Sequence, residues 1–373
     1  MIFSNHYFSF ITIFASLTHT TNNMPLKKFK TDFAKMMETF TIPDNISQEE
    51  SDKKWSDLFS YLQSNIPNKL YRFRKCRLND IISLEQGTIS LCTAAQFSDK
   101  YDSNIFYDHK AFIKNAADSL IKSIKMVLSL KESYRLPDNP VINKIISLEK
   151  NNIPIHEISQ CILTDYMTEL FSYAMLLIDK QELLPRKNKA TKIACFTEDI
   201  KSKFMWDAYG DGYQGFALEY DFKNFQSQAQ LYPIIYSNRM YDGSKVIDNI
   251  VVLHCMEVLK ITKQKIVDQF ITAFKKDFPV DELHWIKMYL YKDKKTYSHE
   301  KEWRLLYKSN SQKDFCSIHD ENCLKAIYYG PDINDDYKKH LHNIAKSKGL
   351  KEYDVVIDKD SLNYDLKITS MKL

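Results

Sequence analysis

The stretch "YSHEKEWRLLY", Tyr297–Tyr307, decides how the fold and any active site are interpreted. It contains two glutamates, Glu300 and Glu302, followed by a tryptophan, Arg304 and an apolar run. In a β-strand alternate side chains share a face, so Glu300, Glu302 and Arg304 would lie side by side. Two neighbouring acids fit either a solvated strand entrance or an active-site wall where one carboxylate stabilises a cation.

The composition indicates a folded chain. Its 373 residues suffice for one large domain or two modest ones, and 44% hydrophobic residues provide enough apolar surface for a core. The net charge of +4 does not by itself indicate a nucleic-acid partner. The seven cysteines form no CxxC pair, which favours free thiols in a reducing cytosol over disulfides. We therefore expect a cytoplasmic protein without a metal site.

The N-terminal residues 1–26 contain no Asp, Glu, Lys or Arg. Polar residues interrupt their apolar run, which is too short and too polar to span a bilayer. The segment also lacks the basic start of a secretory signal, although a signal peptide is the alternative. We expect it to be disordered or mis-started, with Met24 as the true start, and we expect no membrane partner. Residues 27–373 are predicted to form a single domain.

Hydrophobic periodicity predicts an α+β fold, with a mixed, mostly antiparallel sheet as its core. Apolar residues recur at helical spacing in 108–182, which predicts a helical insertion between strands, and a long amphipathic helix is predicted at 246–276. Ser47 with Glu50 three residues later predicts a capped helix start, and Gly349 predicts a helix end.

Several catalytic motifs are missing from the sequence. It contains no GxxxxGK[ST], HExxH or GxSxG. P-loop NTPases, zinc proteases and α/β-hydrolases are therefore excluded, and we expect no Rossmann dinucleotide-binding turn.

Five clusters of aromatic and charged residues follow one another at predicted strand edges. They are "LYRFRKCRLNDIISLEQGTIS", "FSDKYD", "ACFTEDIKSKFMWDAYGDGYQGFALEYD", "EKEWRLLY" and "KAIYYGP". In this order they resemble the bacterial domain-of-unknown-function family 2971 over roughly residues 69–358, with the insertion outside the resemblance. Met205–Tyr209 and Glu300–Arg304 fit its Met-Trp-x-x-Tyr and Glu-x-Glu-aromatic-Arg patterns, whereas the Asn and Pro of its loop motif are replaced at Ser98–Asp102. This family implies no activity.

A second resemblance, to a family of toxins, implies an enzymatic activity. The opening "LYRFRKCRLNDIISLEQG", a later strand threonine and the Glu-x-Glu pair resemble arginine-type ADP-ribosyltransferase toxins in order. The resemblance implies an NAD-cleaving enzyme that transfers ADP-ribose to an unknown acceptor, protein or nucleic acid, as a toxin or antiphage effector. Glu302 would stabilise the oxocarbenium-like transition state and Glu300 would activate the acceptor. The cofactor-binding candidates are Arg72 for the pyrophosphate, Trp206 or Tyr209 for stacking on nicotinamide, and Tyr71 and Thr197. The supporting candidates are Asp99, Asp102 and Arg304.

Each candidate also has a structural interpretation. Arg72 would pair with Asp99, Asp102 or Glu302, and the two aspartates would otherwise cap a turn. The remaining candidates have equally plain alternatives: Thr197 as a turn or cap residue, Trp206 and Tyr209 as core, and Glu300 as a solvated charge. Convergence of Arg72, Trp206 and Glu302 in one cleft would favour the enzyme.

Two functions from other classes stay open. The first is a nucleic-acid binder or processing enzyme that uses Lys292–Lys295 and nearby aromatic residues. A contiguous basic stripe beside the cleft would favour it. The second is a non-enzymatic sensor or interaction module whose helical insertion docks a partner.

Overall fold

The structure is a computed structural model. It describes residues 25–129, 136–180, 184–225, 229–248, 279–320 and 322–371, together with residues 255, 259–260, 264, 267–269 and 272. Residues 1–24 of the segment predicted to be disordered or mis-started, and most of the helix predicted at 246–276, lie outside these residues.

Helices and strands alternate irregularly along the chain. The helices are α1 (Leu26–Thr39), α2 (Gln48–Gln63), α3 (Leu78–Glu85), α4 (His109–Ser129), α5 (Pro140–Lys150), α6 (Ile155–Lys180), α7 (Lys203–Ala208), α8 (Ser244–Asp248), α9 (His284–Lys287), α10 (Lys294–Tyr297) and α11 (Asp335–Lys348). The strands are β1 (Leu70–Arg74), β2 (Thr88–Cys92), β3 (Ile105–Phe106), β4 (Thr191–Thr197), β5 (Phe216–Tyr220), β6 (Gln230–Pro233), β7 (Ile235–Ser237), β8 (Tyr241–Asp242), β9 (Tyr291–Asp293), β10 (Glu302–Lys308), β11 (Phe315–His319), β12 (Leu324–Tyr329), β13 (Lys351–Ile357) and β14 (Leu366–Ser370).

The main sheet contains ten strands in the order β11-β2-β4-β1-β5-β12-β13-β14, with β10 pairing β4 and β6. The β12–β13 pair is parallel and the other pairs of this sheet are antiparallel. Two small parallel pairs, β3–β8 and β7–β9, lie apart from it. The predicted α+β class with a mixed, mostly antiparallel sheet is confirmed.

Strand β4 is the branch point of this sheet. It pairs with β10 along its whole length, whereas its other edge is shared by β1 at Thr197 and by β2 at Ile193. The register places Tyr71, Thr197 and Glu302 in one row across three strands. Directly paired residues project on the same face, so this row marks the face on which Glu302 lies.

Helix α1 supports the opposite face of β10. The ring of Phe29 stacks on Trp303, with 6.0 Å between ring centroids, and both side chains are fully buried. The indole nitrogen of Trp303 donates to Glu198, which also pairs with Lys30. The N-terminal helix and the strand that begins at Glu302 therefore share one core.

The segment between β3 and β4 is helical, as predicted for residues 108–182. Helix α4 buries a continuous apolar stripe that includes Ala117, Leu120, Ile121 and Ile124. Among the described residues, no helix is long and apolar enough to cross a membrane.

The turn between α7 and β5 carries the spacing Gly-x-Gly-x-x-Gly at Gly210, Gly212 and Gly215. A dinucleotide-binding turn with this spacing leads from a strand into a helix, whereas this one leads from a helix into a strand. Gly215 serves close packing, since a Cβ there would lie 2.1 Å from the carbonyl oxygen of Arg74, whereas Gly212 supplies a left-handed backbone with φ of 60°. The turn is therefore not the Rossmann fingerprint.

Candidate functional site

Five charged side chains from separate segments meet in the interior beside β10. They are Asp102, Lys292, Glu300, Glu302 and Arg304. The four other than Lys292 are at most 5% exposed, and the Lys292 side chain is 6% exposed. Enclosed charges are tolerated only when they are paired, and each of these has an oppositely charged partner.

Lys292 lies at the centre of this charged cluster. Its Nζ is 2.6 Å from Glu300 Oε2, 2.9 Å from Glu302 Oε2 and 3.6 Å from Asp102 Oδ2. The ammonium also lies 4.4 Å from the ring centroid of Tyr297. Burial by itself would lower the pKa of Lys292, but the charges of Glu302, Asp102 and Glu300 raise it above its ordinary value. Lys292 is therefore a permanent cation.

Arg304 anchors the cluster from β10. Its Nε donates to Glu302 Oε1 at 2.7 Å and its Nη2 to Asp102 Oδ2 at 2.6 Å. Its Nη1 donates to Ser103 Oγ at 3.1 Å and to the carbonyl oxygen of Tyr289 at 2.7 Å. Four of its five N–H donors are engaged, so Arg304 positions carboxylates.

The side chain of Arg186 holds the loop that carries Asp102. The guanidinium of Arg186 donates to the backbone carbonyls of four loop residues at 2.8–3.4 Å: Ala95, Phe97, Asp99 and Asp102. Ser103 follows in the left-handed conformation, with φ of 53°. This clamp fixes a segment without regular structure, so that Asp102 reaches Arg304.

The two glutamates differ in their electrostatics. Burial would raise the pKa of Glu302, but the charges of Arg304 and Lys292, with a hydrogen bond from Cys195, hold it well below its usual range. Burial raises the pKa of Glu300, and the charge of Lys292 opposes that only in part. Glu302 is thus the more strongly stabilised anion, and Glu300 is the more easily protonated of the two carboxylates. Neighbouring carboxylates with opposite pKa shifts are typical of acid–base sites.

Glu300 reaches the cluster from a turn and not from the strand. Strand β10 begins at Glu302, while Glu300 ends a 3₁₀ turn, Ser298–Glu300. Lys301 between them has a left-handed backbone with φ of 48°. The prediction that Glu300 and Glu302 share a face by strand alternation is wrong, because the chain kinks at Lys301. The two carboxylates meet through Lys292 instead.

Tyr209 stands between Glu300 and solvent. Its hydroxyl donates to Glu300 Oε1 at 3.1 Å, and the residue is 44% exposed. Phe204 beside it is 43% exposed, and its ring centroid lies 4.3 Å from that of His299. Exposed aromatic rings therefore lie next to Glu300 at the surface.

The structure gives Trp206 and Thr197 internal roles. Trp206 has no exposed surface, and its indole nitrogen donates to the carbonyl oxygen of Ile200 at 2.7 Å. An enclosed indole has no face for a ligand ring, so core packing describes it. Thr197 is also buried, and its hydroxyl donates to the carbonyl oxygen of Glu300 at 2.6 Å. Thr197 therefore fixes the turn that carries Glu300.

Arg72 does not meet Glu302. Its Nη2 donates to the carbonyl oxygen of Ser90 at 2.7 Å, and its guanidinium lies over the ring of Phe196. The predicted pairing with Asp99, Asp102 or Glu302 is wrong, since none of the ion pairs among the described residues includes Arg72. Its Nη1 is enclosed and has no hydrogen-bond partner. Burial, with the charge of Arg74, lowers the pKa of Arg72 to about 9.

Tyr71 and Asp99 lie outside the cluster. Tyr71 packs edge-on against Tyr328, with 5.6 Å between ring centroids, and burial raises its pKa to about 12. The Asp99 carboxylate accepts from the backbone N–H of Tyr101 at 2.9 Å, as in the predicted turn cap. Arg72, Trp206 and Glu302 therefore do not converge in one cleft, whereas Tyr209, Asp102 and Arg304 do join the two glutamates.

Three contributors to the site were missed. Lys292 stands in the run Lys292–Lys295, which was considered only as a nucleic-acid contact and not as a partner of the glutamates. Arg186 lies in no motif, whereas Cys195 belongs to the third cluster, "ACFTEDIKSKFMWDAYGDGYQGFALEYD", but was assigned no role; it directly faces Arg304 across the β4–β10 pair. Alternation along β4 was the signal that could have found Cys195. In the described ranges, no group of three or more His, Cys, Asp or Glu side chains is arranged to hold a metal ion.

Comparison with known proteins agrees with part of this interpretation. Residues 205–305 match the family described as a protein of unknown function (DUF2971), which confirms that resemblance over the segment carrying Tyr209, Lys292 and the Glu300–Arg304 motif. Searches of curated proteins and of solved structures found no match. The family description states no activity, and the resemblance to ADP-ribosyltransferases stays a prediction.

Proposed function

We propose that this chain is an ADP-ribosyltransferase-like enzyme, which cleaves NAD and transfers ADP-ribose to an acceptor. One observation carries the proposal: Glu300 and Glu302 share the Lys292 ammonium but have pKa values shifted in opposite directions. Glycosyl transfer needs such a pair, with one carboxylate that stays ionised and one that exchanges a proton.

The roles of the glutamates follow from their charges. The bond between ribose C1′ and the nicotinamide nitrogen breaks with its electron pair moving to nitrogen, so nicotinamide leaves uncharged. Glu302, ionised throughout, stabilises the positive charge that develops on the ribose. The acceptor atom then bonds to C1′ and its proton passes to Glu300. Lys292 and Arg304 hold the two carboxylates in place during these steps.

Tyr209 takes over the stacking role first considered for Trp206, because it is the exposed ring hydrogen-bonded to Glu300. Both glutamates are enclosed, so NAD binding requires Tyr209 to release Glu300. Arg72 has no role in this proposal, because its enclosed guanidinium donates to the carbonyl oxygen of Ser90 and does not converge with Glu302.

The test is nicotinamide release from NAD by the full chain, with protein and nucleic-acid acceptors present. We expect Glu302→Gln to reduce turnover about a hundredfold or more, as when a preorganised charge is removed from a transition state. Glu352→Gln is the matched control, because Glu352 is a half-buried glutamate of β13 that pairs with His342 outside the cluster. Circular dichroism would verify that both variants are folded.

Absence of NAD binding and of nicotinamide release in the wild type would reject the enzyme proposal. The charged cluster would then be a structural network, and the sensor or interaction module would replace the transferase. Equal losses in Glu302→Gln and Glu352→Gln would show that turnover depends on stability and not on the cluster.

A further inference from the structure

Two chain segments meet beside Glu300 and form one continuous surface, which we call the aromatic-basic face (residues 201–209 and 294–301). The ring contact between Phe204 and His299, at 4.3 Å between centroids, joins the two segments. The hydrogen bond from Tyr209 to Glu300, at 3.1 Å, joins them a second time. The face therefore begins at the carboxylate to which we assign proton transfer.

Exposed aromatic rings run across this face and beyond it. Phe204 and Tyr209 are 43% and 44% exposed, with 6.4 Å between their ring centroids. The ammonium of Lys203, the neighbour of Phe204 in sequence, lies 5.5 Å from the ring centroid of Tyr364, which is 81% exposed. Exposed rings offer platforms on which planar groups stack.

The charges around these rings are predominantly positive. The exposed lysines are Lys201, Lys203, Lys294, Lys295 and Lys301. Lys301 pairs with Asp199 at 2.8 Å, whereas none of the ion pairs among the described residues includes the other four. Asp207 is the exposed acid of the two segments, and Asp293, which directly precedes the second segment, accepts from the backbone N–H of Thr296. Lysines around exposed rings suit a ligand that combines phosphates with flat bases.

We propose that the aromatic-basic face binds single-stranded nucleic acid and presents it to Glu300 as the acceptor of ADP-ribose. The proposal rests on the transferase function proposed above, since it names the acceptor of that site. Rings together with a majority of lysines favour this acceptor over a protein, because they match flat bases joined by phosphates. The loop between β13 and β14, which carries Tyr364, also carries Asp358, Asp360 and Asp365, whose charges would repel phosphates there.

Binding is tested without NAD, by fluorescence anisotropy with labelled single-stranded DNA and RNA of about 12 nucleotides. We expect Phe204→Ala to weaken binding about tenfold through the loss of one stacking platform. The double variant Lys203→Ala/Lys295→Ala should reduce the slope of log Kd against log salt concentration by about 1.4, or 0.7 per phosphate contact.

The matched controls are Phe315→Ala, an exposed phenylalanine of β11, and Lys339→Ala/Lys346→Ala, two exposed lysines of α11. Neither control should change the affinity or the salt slope. Absence of binding by the wild type at low salt, or equal losses in variants and controls, would overturn the proposal.

Labelling with NAD separates this inference from the transferase function. Transfer of ADP-ribose to proteins but not to oligonucleotides would overturn the nucleic-acid acceptor and leave the enzyme standing. Oligonucleotide binding that Phe204→Ala weakens, without any NAD turnover, would support the binding face and reject the transferase.

Discussion

At the residue scale, the two glutamates show that neighbouring side chains can shift the pKa values of two identical residue types in opposite directions. Glu302 receives Arg304 on one oxygen and Lys292 on the other, whereas Glu300 receives Lys292 and the neutral hydroxyl of Tyr209. Two cations against one account for the opposite directions of their pKa shifts. The same pair of carboxylates therefore provides one permanent charge and one proton-exchanging group.

The pKa shift of Glu300 predicts how the stability of a Glu300→Gln variant changes with pH. The pKa of Glu300 is higher in the folded protein than in the unfolded chain, where it is about 4.3. The stability that this difference contributes is fully present below the unfolded pKa and is lost as the pH rises through the folded pKa. Gln stays neutral, so the variant should gain free energy of unfolding relative to wild type as pH rises from about 4 to 7. Urea unfolding at several pH values measures this.

Glu302→Gln is the control with the opposite sign. The pKa of Glu302 is lower in the folded protein than in the unfolded chain, where it is about 4.3. The stability that the ionised Glu302 contributes is therefore fully present above the unfolded pKa and is lost as the pH falls towards the folded pKa. Wild type should therefore be most favoured over this variant at neutral pH. A Glu300→Gln variant whose relative stability is flat, or falls, between about pH 4 and 7 would contradict the assignment of the two groups.

Side-chain chemistry was predictable from the sequence only where it follows local spacing. The Glu-x-Glu pair and Arg304 were found because they are close in sequence, and Tyr209 because it belongs to a recognisable pattern. Lys292 was not found in this way, because a run of lysines has the same sequence whether its side chains are solvated or enclosed. Burial by distant segments decides between the two, and no local pattern encodes it.

At the element scale, the regular structure was easier to predict than the turns. Ser47 accepts from the N–H of Glu50 at 3.2 Å, and Gly349 ends α11 with φ of 64°, both as expected from capping chemistry. The kink at Lys301 was not expected, because lysine rarely adopts a left-handed backbone. The position of Glu300 depends on that kink.

In the loop before α4, hydrogen bonds from one side chain satisfy backbone carbonyls that secondary structure would otherwise satisfy. Arg186 supplies donors to four carbonyls of this loop from a position 84–91 residues away in sequence. We expect Arg186→Ala to speed amide hydrogen exchange in residues 95–103 and to reduce NAD turnover, because Asp102 would no longer be held against Arg304. Exchange mass spectrometry measures the first effect.

Arg239→Ala is the control for that experiment, because Arg239 is exposed and lies outside the loop. It should leave exchange in residues 95–103 unchanged. Unaltered exchange in the Arg186 variant would mean that the loop is held by other contacts.

At the scale of the whole molecule, the site depends on segments outside the region shared with the family. Residues 205–305 contain Lys292 and both glutamates but lack β4, which pairs with β10 along its length, and Asp102, the partner of Arg304. A buried cation that loses a partner costs about 3–5 kcal/mol, a large part of the stability of a typical domain.

We therefore expect residues 205–305, expressed alone, to show no cooperative thermal unfolding by circular dichroism, in contrast to the full chain. The exposed edge of β10 should also make this fragment prone to aggregation. A cooperative transition in the isolated fragment would show that the shared region is a domain by itself, and that β4 and α1 are additions to it.

The bond between Asp102 and Arg304 joins residues 202 positions apart, which has a consequence for synthesis. At ordinary elongation rates, Arg304 is added roughly 10–40 s after Asp102. Until then the charged cluster cannot assemble, so a growing or prematurely terminated chain has no competent carboxylate pair. If the full protein consumes NAD, a cell making it is spared that activity while each chain is incomplete. Chains ended before residue 300 should be inert in the nicotinamide-release assay.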